Sequence, residues 1–169
     1  ASADDSWSEG VVLATQTESG QWQGLLAYTR RDAHETDNQG TNDRQDRFRT
    51  TPNPLDSEAN TVFAKLLFVP DEGNRFRLTY EYFDRFIETD ALSARGVTPP
   101  SPAVVNSVLG EDETERNRVT LDHRYSGDGF LSSAFWAVYY QEATTREFSA
   151  EDRAAPSSDR TREGLFDNA

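Results

Sequence analysis

The side chains able to do chemistry near neutral pH are few. The 169 residues contain two histidines, His34 and His123, with no cysteine and no methionine. Without thiols, disulfides, zinc–cysteine sites and cysteine nucleophiles are excluded. Thirty Asp and Glu residues make some carboxylate pair at catalytic spacing inevitable by chance. No G-x-S-x-G, P-loop or H-E-x-x-H pattern occurs. The stretch "DNQGTND" at 37–43 gathers oxygen ligands, but it matches neither the EF-hand loop nor the Gly-rich nonapeptide repeat, so it reads as a solvated loop. The expectation is a protein that is not an enzyme and holds no permanent cofactor or metal.

Charge narrows the partners. Thirty acids against 17 Lys plus Arg give a formal net charge of -13, and the basic residues are interspersed with acids, so no face is expected to attract nucleic acid. Hydrophobic residues make up 35% of the chain and the mean hydropathy is -0.79, low for a sequence that must bury a core of its own. No segment approaches the ~20 continuous apolar residues of a membrane-spanning helix. Spanning β-strands need only ~9–11 residues with an apolar side chain at every second position, and are compatible with so polar a composition.

The elements that would position these side chains follow a period of two. Val62, Ala64, Leu66 and Phe68 share one face of a strand, "PDEGN" turns the chain, and Phe76, Leu78, Tyr80 and Tyr82 continue that face. Lys65, Arg75, Arg77, Glu81 and Arg85 take the other face, where opposite charges can pair across strands. An earlier hairpin places Val11 and Leu13 in phase, turns at Ser19-Gly20, and returns with Trp22, Leu26 and Tyr28 in phase. A later one places Val119, Leu121, His123 and Tyr125 in phase, turns at "SGDG", and returns with Ala134, Trp136, Val138 and Tyr140. Arg118, Asp122 and Arg124 fall opposite. The facing of the last strand, around 130–142, stays open, because Leu131, Phe135 and Tyr139 make its second face almost as apolar.

Between the hairpins lie long polar stretches, roughly 32–60, 90–114 with "TPPSP", and 149 to the end. Six strands in an antiparallel meander put all three tight turns on one edge and all three long stretches on the other. Short turns on one side and long loops on the other are the asymmetry of outer-membrane barrels, with the short turns periplasmic and the long loops extracellular. The alternatives are a soluble, secreted β-domain binding carbohydrate or protein through its long loops, and a general diffusion porin. The strand runs look closer to ten residues than to the ~5–6 usual in sandwiches.

Three stretches resemble the barrel of TonB-dependent outer-membrane receptors, in particular the branch that takes up haem from haem, haemoglobin or related host proteins. "LLAYTRRDAHETDNQG" is similar to that branch's strand ending in Tyr and Arg, followed by His-Glu and a Gly; here these are Tyr28, Arg30, Arg31, His34, Glu35 and Gly40. "NPLDSEANTVFAKLLFVPDEGNRFRLTYEYFDRFIETD" resembles its Asn-Pro-x-Asp linker and the two strands that follow, at Asn53, Pro54, Asp56, Lys65, Asp84, Arg85, Thr89 and Asp90. "RNRVTLDHRYSGDGF" resembles the next descending strand.

The resemblance implies that residues 1–169 are part of a transmembrane β-barrel domain of 22 strands, with the plug domain and the remaining strands absent from these residues. It implies an outer-membrane location in a Gram-negative bacterium, contact with outer-membrane lipid, and coupling to the TonB complex through the plug. Haem, or a haemoglobin-like protein, is the implied transported ligand. The Phe-Arg-Ala-Pro and Asn-Pro-Asn-Leu loop motifs of haem receptors do not occur here. His34, where a strand enters a loop, is the candidate ligand-binding residue because imidazole can ligate haem iron; a solvated loop histidine is the alternative. His123 is expected to be structural, at an interface. Trp22, Tyr28, Tyr80, Tyr82, Tyr125, Trp136 and Tyr140 are expected in interfacial aromatic girdles. The in-phase apolar residues would face lipid and the charged set would face the lumen. Six strands alone leave two unpaired edges, so the expectation is a fragment that does not span as a closed monomer.

Overall fold

A computed structural model describes residues 6–37, 40–97 and 103–168. The strands are β1 (Ser6–Gln16), β2 (Trp22–His34), β3 (Leu55–Asp71), β4 (Asn74–Asp90), β5 (Gly96–Val97), β6 (Val104–Ser126), β7 (Ser133–Arg153) and β8 (Arg160–Asn168). They form one antiparallel sheet in the order β1-β2-β3-β4-β6-β7-β8, with the two-residue β5 pairing to β6. It is an all-β meander whose sheet does not close on itself. The only helical element among the described residues is a 3-10 turn at Leu92–Ala94.

Tight turns set the register. Between β1 and β2, Gly20 N–H donates to Thr17 O at 2.9 Å, and Gly20 has φ of 71°, a conformation open to glycine at little steric cost. Between β3 and β4, the Asp71 carboxylate accepts from Gly73 N–H at 2.8 Å and from the Asn74 amide at 2.9 Å. A Cβ on Gly73 would lie 2.6 Å from Ser126 O, and the Gly73 carbonyl accepts the Ser126 N–H at 2.8 Å, so this turn packs directly on the end of β6. Pro70 is tolerated near the end of β3 because the ladder shifts register between Phe68 and Asp71.

Among the described residues there are eight strands rather than six, the additional ones being the two-residue β5 and β8, and several of the expected strands also run far past their apolar parts. β6 has 23 residues, about 75 Å at the rise of an extended strand, yet its apolar alternation covers only the end near its turn. The polar stretch expected over 32–60 contracts to 35–54; residues 104–114, expected in a loop, belong to β6. The final stretch contributes the end of β7 and all of β8, joined by a short connection. Backbone ladders hold these polar extensions, helped by cross-strand pairs such as Arg146 to Glu163 at 3.0 Å and Thr144 to Asp167 at 2.9 Å. The "TPPSP" segment lies outside the described residues, as do Asn38 and Gln39 of the "DNQGTND" stretch.

Candidate functional site

Register places every residue of the in-phase apolar set on one face. Successive rows across β1, β2, β3, β4, β6 and β7 read Thr15, Gly24, Leu66, Leu78, Leu121, Val138, and then Leu13, Leu26, Ala64, Tyr80, Val119, Tyr140. One row nearer the tight turns, Trp22, Phe68, Phe76, His123 and Trp136 stand side by side on five strands. Their rings stack in sequence, with centroids 4.2 Å apart for Trp22 and Phe68, 6.3 Å for Phe68 and Phe76, and 4.1 Å for Phe76 and His123. Trp136 meets His123 edge-on at 5.7 Å. The open facing of β7 is thereby decided: Trp136, Val138 and Tyr140 lie with Leu121.

At the other border, Tyr28 donates to Asn60 Oδ1 at 2.7 Å and Tyr80 donates to Asn117 Oδ1 at 2.9 Å. Both hydroxyls point away from the apolar rows toward polar side chains one row farther from the tight turns. Beyond that border the same face becomes acidic, with Asp84, Glu113 and Glu115 on β4 and β6 and Glu58 and Asp56 on β3.

The opposite face is charged, and it is the more crowded one at the centre of the sheet. Arg77 Nε donates to Asp122 Oδ2 at 2.7 Å, and Asp122 is only 4% exposed. Leu67, beside Arg77 in the same row, is 3% exposed. Arg118 approaches Glu81 at 3.7 Å and lies over the Tyr139 ring at 5.2 Å. Arg124 lies 5.5 Å from the Phe135 ring centroid. On the second apolar face of β7, the Phe135 and Tyr139 rings thus each have a guanidinium beside them, though both rings remain largely exposed. Lys65, Arg75 and Arg85 share this face.

His34 ends β2 directly opposite Asp56, with Nδ1 2.5 Å from Asp56 Oδ1. Both side chains are well exposed, 66% and 71%. Nearby, Arg30 contacts Asp32 at 3.1 Å and Glu58 at 3.2 Å. The hydrogen bond from Arg30 to Asp32, followed by the charges of Asp32 and Glu58, holds the guanidinium above its ordinary pKa. The two loops above the sheet are clipped together. Asn53 donates to Ser93 Oγ at 2.9 Å and accepts the Ser93 N–H at 3.0 Å, while Arg95 reaches Gln45 at 2.8 Å and Asp90 at 2.9 Å. No cluster of three His, Cys, Asp or Glu side chains suited to a metal ion occurs among the described residues.

Sequence reasoning missed the partners in two of these features. Phe68, Phe76 and His123 belong with Trp22 and Trp136, a grouping signalled by their shared distance from the three turns. The Asn53–Ser93 clip joins residues 40 positions apart, and nothing in the local pattern announces it. No family model matches the chain, and no curated protein matches it.

Proposed function

We propose that these residues form part of the wall of an outer-membrane β-barrel of the TonB-dependent receptor kind, in a Gram-negative cell, and that the imported ligand is haem or a haem protein. The carrying observation is an inversion at the centre of the sheet. Leu66, Leu78 and Leu121 stand 41%, 43% and 37% exposed, whereas Asp122, next to Leu121 in the chain, is 4% exposed. In water, each exposed apolar Å² forgoes about 25 cal/mol of stabilisation. Hydrocarbon removes that cost on the leucine face, while an interior occupied by water and the plug suits the charged one.

The borders of the apolar rows support the same reading. Trp and Tyr carry an apolar ring and a polar tip, which suits them to the level of lipid headgroups. The edges support it too. Among the described residues, β8 pairs only with the Ala143–Glu151 part of β7, and β1 has a neighbour on one side alone. Lipid cannot satisfy unpaired backbone groups, so further strands of the receptor close the barrel in this reading. The plug that couples to TonB also belongs to the rest of the receptor.

His34 supports the ligand class. Histidines that ligate metal usually present one ring nitrogen to the ion and donate the other to a carboxylate. Asp56 on Nδ1 supplies that carboxylate, leaving Nε2 to meet haem iron at the loop-side end of β2, on the outer face beyond the apolar rows.

The test of the membrane reading uses tryptophan quenching. The chain has three tryptophans, and Trp22 and Trp136 lie in one stacked row. Reconstitution of the complete receptor, its other tryptophans replaced by phenylalanine, into vesicles of brominated phosphatidylcholine should quench Trp22 and Trp136 most strongly when bromine sits near the headgroup end of the acyl chain. Emission unaffected by bromine at any depth would overturn the membrane reading and favour a soluble β-domain.

A further inference from the structure

The charged face carries a stripe of cations that the reading above does not use. Along the β4–β6 pair, successive rows on that face are Arg85 with Thr114, Phe83 with Arg116, Glu81 with Arg118, Thr79 with Thr120, Arg77 with Asp122, and Arg75 with Arg124. All rows but one present a guanidinium. Glu81 and Asp122 answer two of them. The last row sets two arginines directly opposite each other, an arrangement that repels and weakens a sheet unless an anion lies between.

Local surroundings sharpen this. Among the described residues, neither Arg75 nor Arg124 makes an ion pair, and nor does nearby Lys65. Both arginines line an open hollow of about 870 Å³ with Gln23, Leu67 and Phe135, and Glu72 in the adjoining turn is its one carboxylate. A second hollow of about 400 Å³ carries Lys65, Arg75 and Gln23. Arg124 lies over the Phe135 ring at 5.5 Å. A guanidinium fork suits the bidentate geometry of a carboxylate or phosphate, and two stand on paired residues of this row.

We propose that Arg75 and Arg124 form an oxyanion site at the turn-side end of the inner face, and that the arginine stripe above it guides carboxylate- or phosphate-bearing ligands toward it. The ligand chemistry is an oxyanion beside an apolar or aromatic body, because Leu67 and Phe135 flank the cations. The proposal rests on the barrel reading for its facing, since the stripe must meet the lumen rather than lipid.

The experiment is calorimetric titration of the complete receptor in phosphatidylcholine vesicles with inorganic phosphate and, separately, with glutarate. Binding should weaken about tenfold for each arginine removed in Arg75→Gln and Arg124→Gln, and persist in Arg146→Gln, on the opposite face. Tighter binding of glutarate than of phosphate would assign the site to carboxylates, and the reverse to phosphates. The same Gln variants should unfold at higher denaturant than the parent chain, because the like-charge row is relieved; this readout separates a lost site from a damaged fold. Binding of neither anion, or equal binding by the parent and the double variant, overturns the proposal. Bromine quenching measured on the same vesicles reports independently on the membrane reading, so the two can fail separately.

Discussion

Arg77 and Asp122 meet across the β4–β6 pair at 2.7 Å, on the face opposite the neighbouring Leu78 and Leu121 pair. Asp122 is nearly enclosed, while Arg77 remains 41% exposed at its side chain. Removing the carboxylate leaves the guanidinium partly solvated, so the loss is moderate. Asp122→Ala should destabilise the complete receptor in vesicles by about 1–3 kcal/mol, read from the midpoint of guanidinium-induced unfolding. A midpoint equal to that of the parent chain would show that the pair contributes nothing net.

Facing is tested by an arginine placed on either side of one hairpin. Leu66→Arg puts a charge in the middle of the apolar rows and should cost about 2–4 kcal/mol in a bilayer. Thr79→Arg, on the charged face, should cost far less. Equal losses in the complete receptor embedded in vesicles would contradict the assigned lipid and lumen faces.

His34 and Asp56 act together in the proposed haem contact. His34→Ala should abolish the shift of the haem Soret band on titration, and Asp56→Asn should weaken haem binding while leaving the shift present, because it alters only the orienting partner; the effect expected of such a partner is about 10–100-fold. Haem spectra indistinguishable between parent and His34→Ala would remove His34 from the site.

His123 is held in one tautomer by its neighbours. Trp136 Nε1 is a donor only, and it donates to His123 Nδ1 at 3.0 Å; the ring proton therefore sits on Nε2, which donates to Asn74 Oδ1 at 2.9 Å. Nitrogen-15 NMR of the neutral ring should report the Nε2–H form. Trp136→Phe keeps a ring in the stack but removes the donor, and should cost about 0.5–1.5 kcal/mol together with a mixed tautomer population. A pure Nε2–H signal in that variant would mean that Asn74 alone sets the proton.

Gly73 has no room for a side chain. Its Cβ would stand 2.6 Å from the Ser126 backbone oxygen, and backbone cannot rotate aside as a flexible side chain can. Gly73→Ala should cost about 1–3 kcal/mol by overpacking, seen as a lower unfolding midpoint, whereas Gly110→Ala, with nothing within 4 Å of its Cβ, should not incur that clash.

Much of this was legible in the residues. Alternation in "VFAKLLFVP" and "RFRLTYEY" established long amphipathic strands, and Gly20 and "PDEGN" marked turns. The two faces of β3 and β4 followed, because a strand's side chains alternate with a period of two whatever lies beside it. The polar halves of β6 and β7 were invisible for the same reason: a run such as "GEDETERNR" has no apolar alternation, and its strand conformation comes from the ladder on either side.

Register was the property that only the tertiary structure decided. A shift of two residues between neighbouring strands keeps every side chain on its face and leaves the sequence pattern untouched. It would nevertheless separate Arg75 from Arg124, His34 from Asp56, and His123 from Trp136. Those juxtapositions depend on turn geometry and on hydrogen bonding along the whole ladder, which no single strand encodes. The chain's own alternation therefore determined which face each residue occupies, and the assembled sheet determined what each one meets there.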